Sequence, residues 1–133
     1  MKIEKIEGIG SKYAEKLQAA GVSSTEQLLE SAGSRKGRKD LAEKTGISET
    51  LILEWVNLAD LFRVPGIGEE YSDLLEEAGV DTVKELRNRN PENLYTALQE
   101  VNARKKLVRQ VPGLSQVESW IASAKTIEIK VTY

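Results

Sequence analysis

An internal repeat constrains the fold of this chain more than any other feature. When the sequence is aligned with itself at an offset of 58 residues, Gly8-Ile9-Gly10 falls on Gly66-Ile67-Gly68. The same offset aligns further identical residues, namely Tyr13 with Tyr71, Leu17 with Leu75, Ala20 with Ala78, Gly21 with Gly79, Val22 with Val80 and Leu28 with Leu86. A period of this size predicts a duplication. We place the two repeats at 1–62 and 63–133, and each ends on a tryptophan-bearing helix.

The residues after each Gly-Ile-Gly segment have the spacing of a helix with a glycine stop. In the first repeat, Tyr13 and Leu17 belong to an apolar series at helical spacing, with charged residues between them. Gly21 follows this series and can adopt the positive φ of a helix C-cap. Gly79 occupies the same place in the second repeat.

Capping patterns predict where the other helices begin. Glu26 and Glu118 each lie three residues after a serine, which is the spacing of a capping box. Proline follows Asn90, as expected at the first position of a helix. The predicted N-caps are Ser23, Asp81, Asn90 and Ser115. The further predicted helices span about 36–45, 48–62, 91–107 and 115–125.

The last stretch, 126–133, alternates Ile127, Ile129 and Val131 with polar residues, which is the period of an extended strand. The sequence offers this tail no partner, so it either pairs in a dimer or lies on the surface. We predict an all-α fold of two pseudo-symmetric repeats that share one core, with a short extended C-terminal tail. Neither half, at about 60 residues, would bury enough apolar surface alone.

The composition excludes several classes of function. The chain has no Cys and no His, so it lacks a thiolate nucleophile and the commonest metal ligand and general base. No Walker loop or nucleophile elbow is present. We therefore predict a protein that is not an enzyme and has no cofactor or metal site. The charged N-terminus and the lack of a long apolar stretch predict a cytoplasmic protein without a membrane partner.

Two strings resemble a known motif. Ile3-x-x-Ile6-x-Gly8-Ile9-Gly10-x-x-x-Ala14 is similar to the helix-hairpin-helix motif of non-sequence-specific DNA-binding proteins. Leu61-x-x-Val64-x-Gly66-Ile67-Gly68 matches it as well, with Ser72 in the place of Ala14. The whole chain resembles the bacterial domain-of-unknown-function 4332 family. That resemblance implies a tandem helix-hairpin-helix fold of SAM-like or RuvA C-terminal-like helical units, and it brings no assigned activity.

The first hairpin has the chemistry of a phosphate site. Glycines let the backbone come close to a ligand, and the helix that follows begins with unpaired amides at its positive end. The net charge of −2 requires any nucleic-acid affinity to come from a local patch. The predicted contacts are Gly8, Ile9, Gly10, Ser11, Lys12 and Lys16.

A second group of bases follows in the same repeat. Arg35, Lys36, Arg38 and Lys39 surround Gly37 and predict either a second phosphate-contact patch or a solvated loop.

The second hairpin has the opposite charge. Its following segment carries five acids and no base, namely Glu69, Glu70, Asp73, Glu76 and Glu77. Carboxylates there would repel a phosphate.

Two functions therefore stay open. One is DNA-backbone binding through the first hairpin. The other is a protein–protein adaptor that recognises a basic partner through Glu69, Glu70 and Asp73. A purely structural hairpin, which only sets the crossing of two helices, is the alternative at either copy. For Trp55 and Trp120, core packing is favoured over base stacking.

Overall fold

The computed structural model describes all 133 residues. It contains a short 3-10 helix (Ile3–Lys5) followed by eight α-helices, and it has no strand beyond an isolated bridge between Lys2 and Ser24. The helices are α1 Ser11–Ala19, α2 Thr25–Ala32, α3 Arg35–Thr45, α4 Glu49–Leu61, α5 Glu69–Glu77, α6 Val83–Arg87, α7 Pro91–Lys105 and α8 Leu114–Ala124. The predicted all-α class is confirmed, and the predicted bounds of α3, α4, α7 and α8 agree with these to within two residues.

The chain forms two compact units. The first comprises residues 1–60 together with 129–133, and the second comprises residues 61–128. The backbone therefore leaves the first unit after Asp60 and returns to it at Ile129. A core shared between the two repeats stays a prediction.

Each unit has an apolar core that contains one tryptophan. Trp55 and Trp120 are each only 1% exposed, which confirms that both indoles pack as core residues. Buried with Trp55 in the first unit are Ile3, Ile6, Ile9, Leu17, Leu28, Leu29, Leu41, Ile47, Ile52 and Val56. Trp120 lies in the second core with Leu61, Val64, Ile67, Leu74, Leu75, Val80, Val83, Leu86, Leu94, Leu98 and Val117.

Helices α1 and α5 end in the same way. Gly21 and Gly79, which follow them, have φ values of +87° and +91°. After each glycine, the amide of the next valine donates a hydrogen bond of 2.8 Å to a leucine carbonyl five residues earlier. This is the hydrogen bond of a Schellman motif, in which a left-handed glycine satisfies the last carbonyls of the helix. The predicted glycine stops are confirmed.

The predicted N-caps of α2 and α6 are wrong by one residue. Ser24 rather than Ser23 caps α2, and Thr82 rather than Asp81 caps α6. Each cap hydroxyl accepts a hydrogen bond from the amide three residues later, at 3.1 Å in α2 and 3.2 Å in α6. The first helical residue after each cap, Thr25 in α2 and Val83 in α6, is buried.

Glu26 does not complete the predicted capping box. Its carboxylate instead accepts hydrogen bonds of 2.9 and 3.1 Å from the ammonium group of Met1. This hydrogen bonding to the ammonium group, helped by the Thr25 hydroxyl, lowers the pKa of Glu26.

The remaining two cap predictions have opposite outcomes. Asn90 caps α7 as predicted, because its side chain accepts a hydrogen bond of 3.0 Å from the Asn93 amide and proline is the first helical residue. The predicted capping box at Ser115 is wrong. Helix α8 already begins at Leu114, and Gly113 precedes it without a side-chain cap.

Of the C-terminal tail, residues 129–133 lie in the first unit and residues 126–128 in the second, and no part of it is a strand. Val131 is buried, and the amide of Thr132 donates a hydrogen bond of 2.9 Å to the carbonyl of Gly33. The sequence offered only a dimer partner or the free surface, and the structure places the tail on the junction of α2 and α3.

The corrected cap of α6 can be tested by removing one side chain at a time. Thr82→Ala should lower the free energy of unfolding by about 1 kcal/mol, because an amide of the first turn loses its acceptor. Asp81→Ala should have a smaller effect. Urea denaturation of both variants measures the difference, and an equal or larger loss for Asp81→Ala would place the cap at Asp81.

Candidate nucleic-acid interface

The backbone before each Gly-Ile-Gly segment folds in the same way. In the first unit the Ile6 amide donates to the Ile3 carbonyl at 3.0 Å, and the Ile9 amide donates to the Ile6 carbonyl at 3.2 Å. The corresponding bonds 58 residues later are both 3.1 Å. All three isoleucines are buried. Ile9, one of the predicted contacts, therefore anchors the loop in the core and does not face a ligand.

The backbone conformation at the first position of each Gly-Ile-Gly segment requires glycine. Gly8 and Gly66 both have φ of +92°, in the left-handed region that disfavours a side chain. A Cβ on Gly8 would lie 3.4 Å from Nε1 of Trp55, which is an ordinary contact. A Cβ on Gly66 would lie 3.0 Å from Nε1 of Trp120, which is tighter than a normal contact.

A tyrosine from the following helix packs on each of these tryptophans. The ring centroids of Tyr13 and Trp55 are 5.1 Å apart with an angle of 61° between the planes. Those of Tyr71 and Trp120 are 5.2 Å apart with an angle of 57°. Inclined rings at this separation attract through their quadrupoles. The indole thus lies close to the glycine turn and packs against the helix that follows it.

The N-terminus of α1 is open to solvent. Gly10 is its N-cap residue, no side chain caps the helix, and a Cβ on Gly10 would have no neighbour within 4 Å. Ser11, Lys12 and Lys16 are exposed, and the first turn contains no acid. The amides of this turn lack intrahelical acceptors and carry the positive end of the helix dipole. Together with the two lysines they form an accessible surface, which we call the α1 rim (Gly8, Gly10, Ser11, Lys12 and Lys16), and the exposed acids Glu7 and Glu15 neighbour it in the sequence.

The second Gly-Ile-Gly segment is followed by acids at the matching positions. Glu69 and Glu70 stand where the first hairpin has Ser11 and Lys12, and both are exposed in the first turn of α5. The other three acids predicted to surround this hairpin are less available. Asp73 and Glu76 are half-buried, and the Glu77 carboxylate forms an ion pair of 2.6 Å with Nζ of Lys105. The exposed acids are therefore Glu69, Glu70 and Glu77, and of these Glu77 is paired with Lys105.

Three of the four bases in the second predicted patch are exposed. Arg35, Lys36 and Lys39 lie in the first turns of α3, which starts after the N-cap Ser34. Lys36 is 3.8 Å from the Asp40 carboxylate, an exposed ion pair one turn along the helix. Such pairs contribute little to stability, so Lys36 stays available.

Arg38 has a different role from the one predicted. It is only 5% exposed, and its Nη1 donates to the carbonyls of Ala32 at 3.1 Å and Gly33 at 2.8 Å. Its Nη2 donates to the Thr132 carbonyl at 2.6 Å. Burial lowers the pKa of this guanidinium. With its donors engaged by backbone carbonyls, Arg38 does not belong to a phosphate-binding surface. The helical period carries a signal for this, because Arg38 shares a face of α3 with the buried Leu41.

The predicted residues thus form two groups in the first unit. One is the α1 rim, and the other is the exposed set Arg35, Lys36 and Lys39 on α3, a helix that packs against α2. Ile9 and Arg38, which were predicted as contacts, belong to neither group because both are buried.

The chain is an all-α protein, and none of its helices has both the length and the apolar character needed to cross a membrane. The model of a family described as a domain of unknown function, DUF4332, matches residues 7–127. The chain therefore belongs to the DUF4332 family. No solved structure matches it.

The conformational requirement at the first hairpin predicts unequal effects at its two glycines. Gly8→Ala should lower the free energy of unfolding by about 1–2 kcal/mol, because a side chain is disfavoured at positive φ. Gly10→Ala should lower it less, since Gly10 has an extended backbone and open space around it. Thermal unfolding followed by circular dichroism measures both, and equal losses would contradict the assignment of the strained position to Gly8.

Proposed function

We propose that the two units are tandem helix-hairpin-helix modules and that the chain binds the phosphate backbone of duplex DNA through the first of them. The observation that carries this proposal is the α1 rim. It combines a tight glycine turn, an uncapped helix N-terminus and two exposed lysines, with no acid in the first turn. The resemblance to the helix-hairpin-helix motif of DNA-binding proteins indicates DNA as the ligand of this surface.

In this proposal, a phosphate oxygen accepts hydrogen bonds from the first amides of α1, where the helix dipole favours an anion. Lys12 adds a full positive charge in the same turn, and Lys16 adds another one turn further along the helix. All of these groups recognise phosphate, and none is placed to read a base edge. Backbone contacts of this kind position a protein on DNA without reading its sequence.

The exposed bases of α3 supply further contacts. Arg35, Lys36 and Lys39 are proposed to bind phosphates as a second group, without Arg38. Each neutralised phosphate releases counterions, so every additional contact makes the affinity more dependent on salt. With a net charge of −2 on the whole chain, attraction to DNA has to come from these local groups.

The second hairpin is proposed to take no part in this binding. Glu69 and Glu70 present carboxylates at the positions where the first hairpin has a hydroxyl and an ammonium group. They favour the start of α5 electrostatically but repel a phosphate. The two Gly-Ile-Gly segments thus have similar backbone geometry but are followed by side chains of different charge.

Reversing one charge in the α1 rim should weaken DNA binding. Lys12→Glu should lower the affinity for a fluorescent duplex on the order of tenfold at about 50 mM salt, because a favourable phosphate contact becomes a repulsive one. The wild-type affinity should itself be weak and fall steeply with salt. Fluorescence anisotropy over a series of salt concentrations measures both effects.

The matched control is Lys125→Glu, the same charge change at an exposed residue of the second unit. It should reduce the affinity much less than Lys12→Glu. The reciprocal change, Glu70→Lys, should strengthen binding because it gives the second hairpin the charge of the first. Equal losses for Lys12→Glu and Lys125→Glu, binding that does not depend on salt, or no binding at about 50 mM salt would each contradict the proposal.

A second candidate is an adaptor that recognises a basic protein. The observation that favours it is the pair of exposed carboxylates, Glu69 and Glu70, side by side in the first turn of α5. The half-buried Asp73 adds less to this surface than the sequence suggested. Pull-down experiments should then recover a partner that is lost when both glutamates are changed to lysine. A partner that survives this double change would rule out recognition through the acidic hairpin.

A further inference from the structure

Residues 129–133, here called the C-terminal segment, are held through both main-chain groups of one residue. The Thr132 amide donates to the Gly33 carbonyl at 2.9 Å, and the Thr132 carbonyl accepts from Nη2 of Arg38 at 2.6 Å. The same guanidinium donates to the last carbonyls around the end of α2, at Ala32 and Gly33. One buried arginine therefore ties the helix end to the segment.

The side chains on either side of Thr132 add further contacts. Val131 is only 5% exposed, so its apolar side chain is almost fully removed from water. The Tyr133 ring lies beside the Arg38 guanidinium, which is 5.8 Å from its centroid, and the Tyr133 hydroxyl is 3.4 Å from Oδ1 of Asn57. The segment is thus recognised through two main-chain groups, one aliphatic side chain and one aromatic side chain.

The surface that receives the segment is shaped for a close approach of backbone. A Cβ on Gly33 would lie 2.5 Å from the carbonyl oxygens of both Leu29 and Lys130, although Gly33 has an ordinary helical φ of −65°. Space, rather than backbone conformation, therefore requires glycine at this position. We call the receiving residues the tail site (Ala32, Gly33, Arg38 and Asn57).

The contacts described above with the tail site come from residues 130–133, within the C-terminal segment. The residues just before the segment are held in the second unit, where Ile127 packs against the core and the Glu128 carbonyl accepts a hydrogen bond of 2.8 Å from Arg63. The tail site itself lies entirely in residues 1–60. The same contacts can therefore form whether the segment comes from the same chain or from another copy.

We propose that the tail site is an interaction surface for the C-terminal segment of a second copy of this chain, so that two copies associate by exchanging their segments. Exchange of an identical element between chains reproduces the intramolecular contacts at little cost. The segment of the same chain is present at a high effective concentration near the tail site. It therefore outcompetes the segment of another copy, and the intramolecular arrangement is favoured. Association between two copies should therefore be measurable when a substitution prevents the segment from binding the tail site of its own chain. This proposal does not depend on DNA binding.

A mixing experiment with two full-length variants tests the exchange. Thr132→Pro removes the N–H donor of the segment and leaves the tail site intact. Arg38→Met removes the guanidinium donors of the tail site, keeps a long side chain and leaves the segment intact. Neither variant alone can form the complete contact. An equimolar mixture should form a heterodimer, because the segment of the Arg38→Met chain can occupy the tail site of the Thr132→Pro chain.

Analytical ultracentrifugation should show monomers for each variant alone and a species of twice the mass in the mixture. The control is Thr132→Ala, which keeps the N–H donor and changes only an exposed side chain. Mixed with Arg38→Met it should stay monomeric, since its own segment fills its tail site. Two folded variants that remain monomeric when mixed would overturn the proposal.

A second measurement covers the case in which Arg38→Met loses its helical structure. A synthetic peptide of residues 126–133 is titrated to millimolar concentration into the Thr132→Pro chain. The amide resonance of Gly33 should shift, and a peptide that itself carries proline at position 132 should leave it unchanged. No shift with the unmodified peptide would overturn the proposal. Peptide binding together with the absence of heterodimers from folded variants would overturn exchange between copies.

Discussion

Each unit contains a tryptophan indole directly beneath its glycine turn, and the position of the candidate site depends on that contact. Nε1 of Trp55 would be 3.4 Å from a Cβ on Gly8, and the same indole packs against Tyr13 in the helix that follows. The loop and the helix start are therefore held against one rigid, buried side chain of α4. Because Trp55 fixes both, the amides at the N-terminus of α1 keep a defined direction without a side-chain cap.

The two Gly-Ile-Gly segments show that this packing does not determine the surface charge. The buried residues and the glycine conformation are similar in both, whereas the exposed residue two positions after the second glycine is Lys12 in one and Glu70 in the other. An exposed side chain in the first turn of a helix contacts little of the core, so either charge is compatible with the packing. Similar packing is therefore compatible with opposite exposed charge, which is the basis of our proposal for DNA binding by the first unit.

Local patterns in the sequence predicted the local features of the structure. The glycine stops, the tryptophan cores and the helix that starts at Pro91 follow from spacing and from the conformations that single residues prefer. The caps of α2 and α6 were displaced by one residue, because two adjacent residues with cap-forming side chains precede each helix and the sequence pattern does not distinguish them. The burial of Arg38 has a signal in the helical period, but its partner in the tail could not be predicted, since it is a main-chain carbonyl 94 residues away. A periodic pattern does not predict a contact between residues so far apart in the chain. The position of the tail could therefore not be predicted from the sequence.

The most direct test of unequal hairpins is a titration of the isotope-labelled chain with a short DNA duplex at low salt, followed by NMR amide resonances. We expect the resonances of Gly10, Ser11 and Lys12 to shift in proportion to bound DNA, and those of Gly68, Glu69 and Glu70 to stay in place. The shifts should disappear as salt is raised. Equal shifts at both hairpins, or shifts confined to other parts of the chain, would contradict the account.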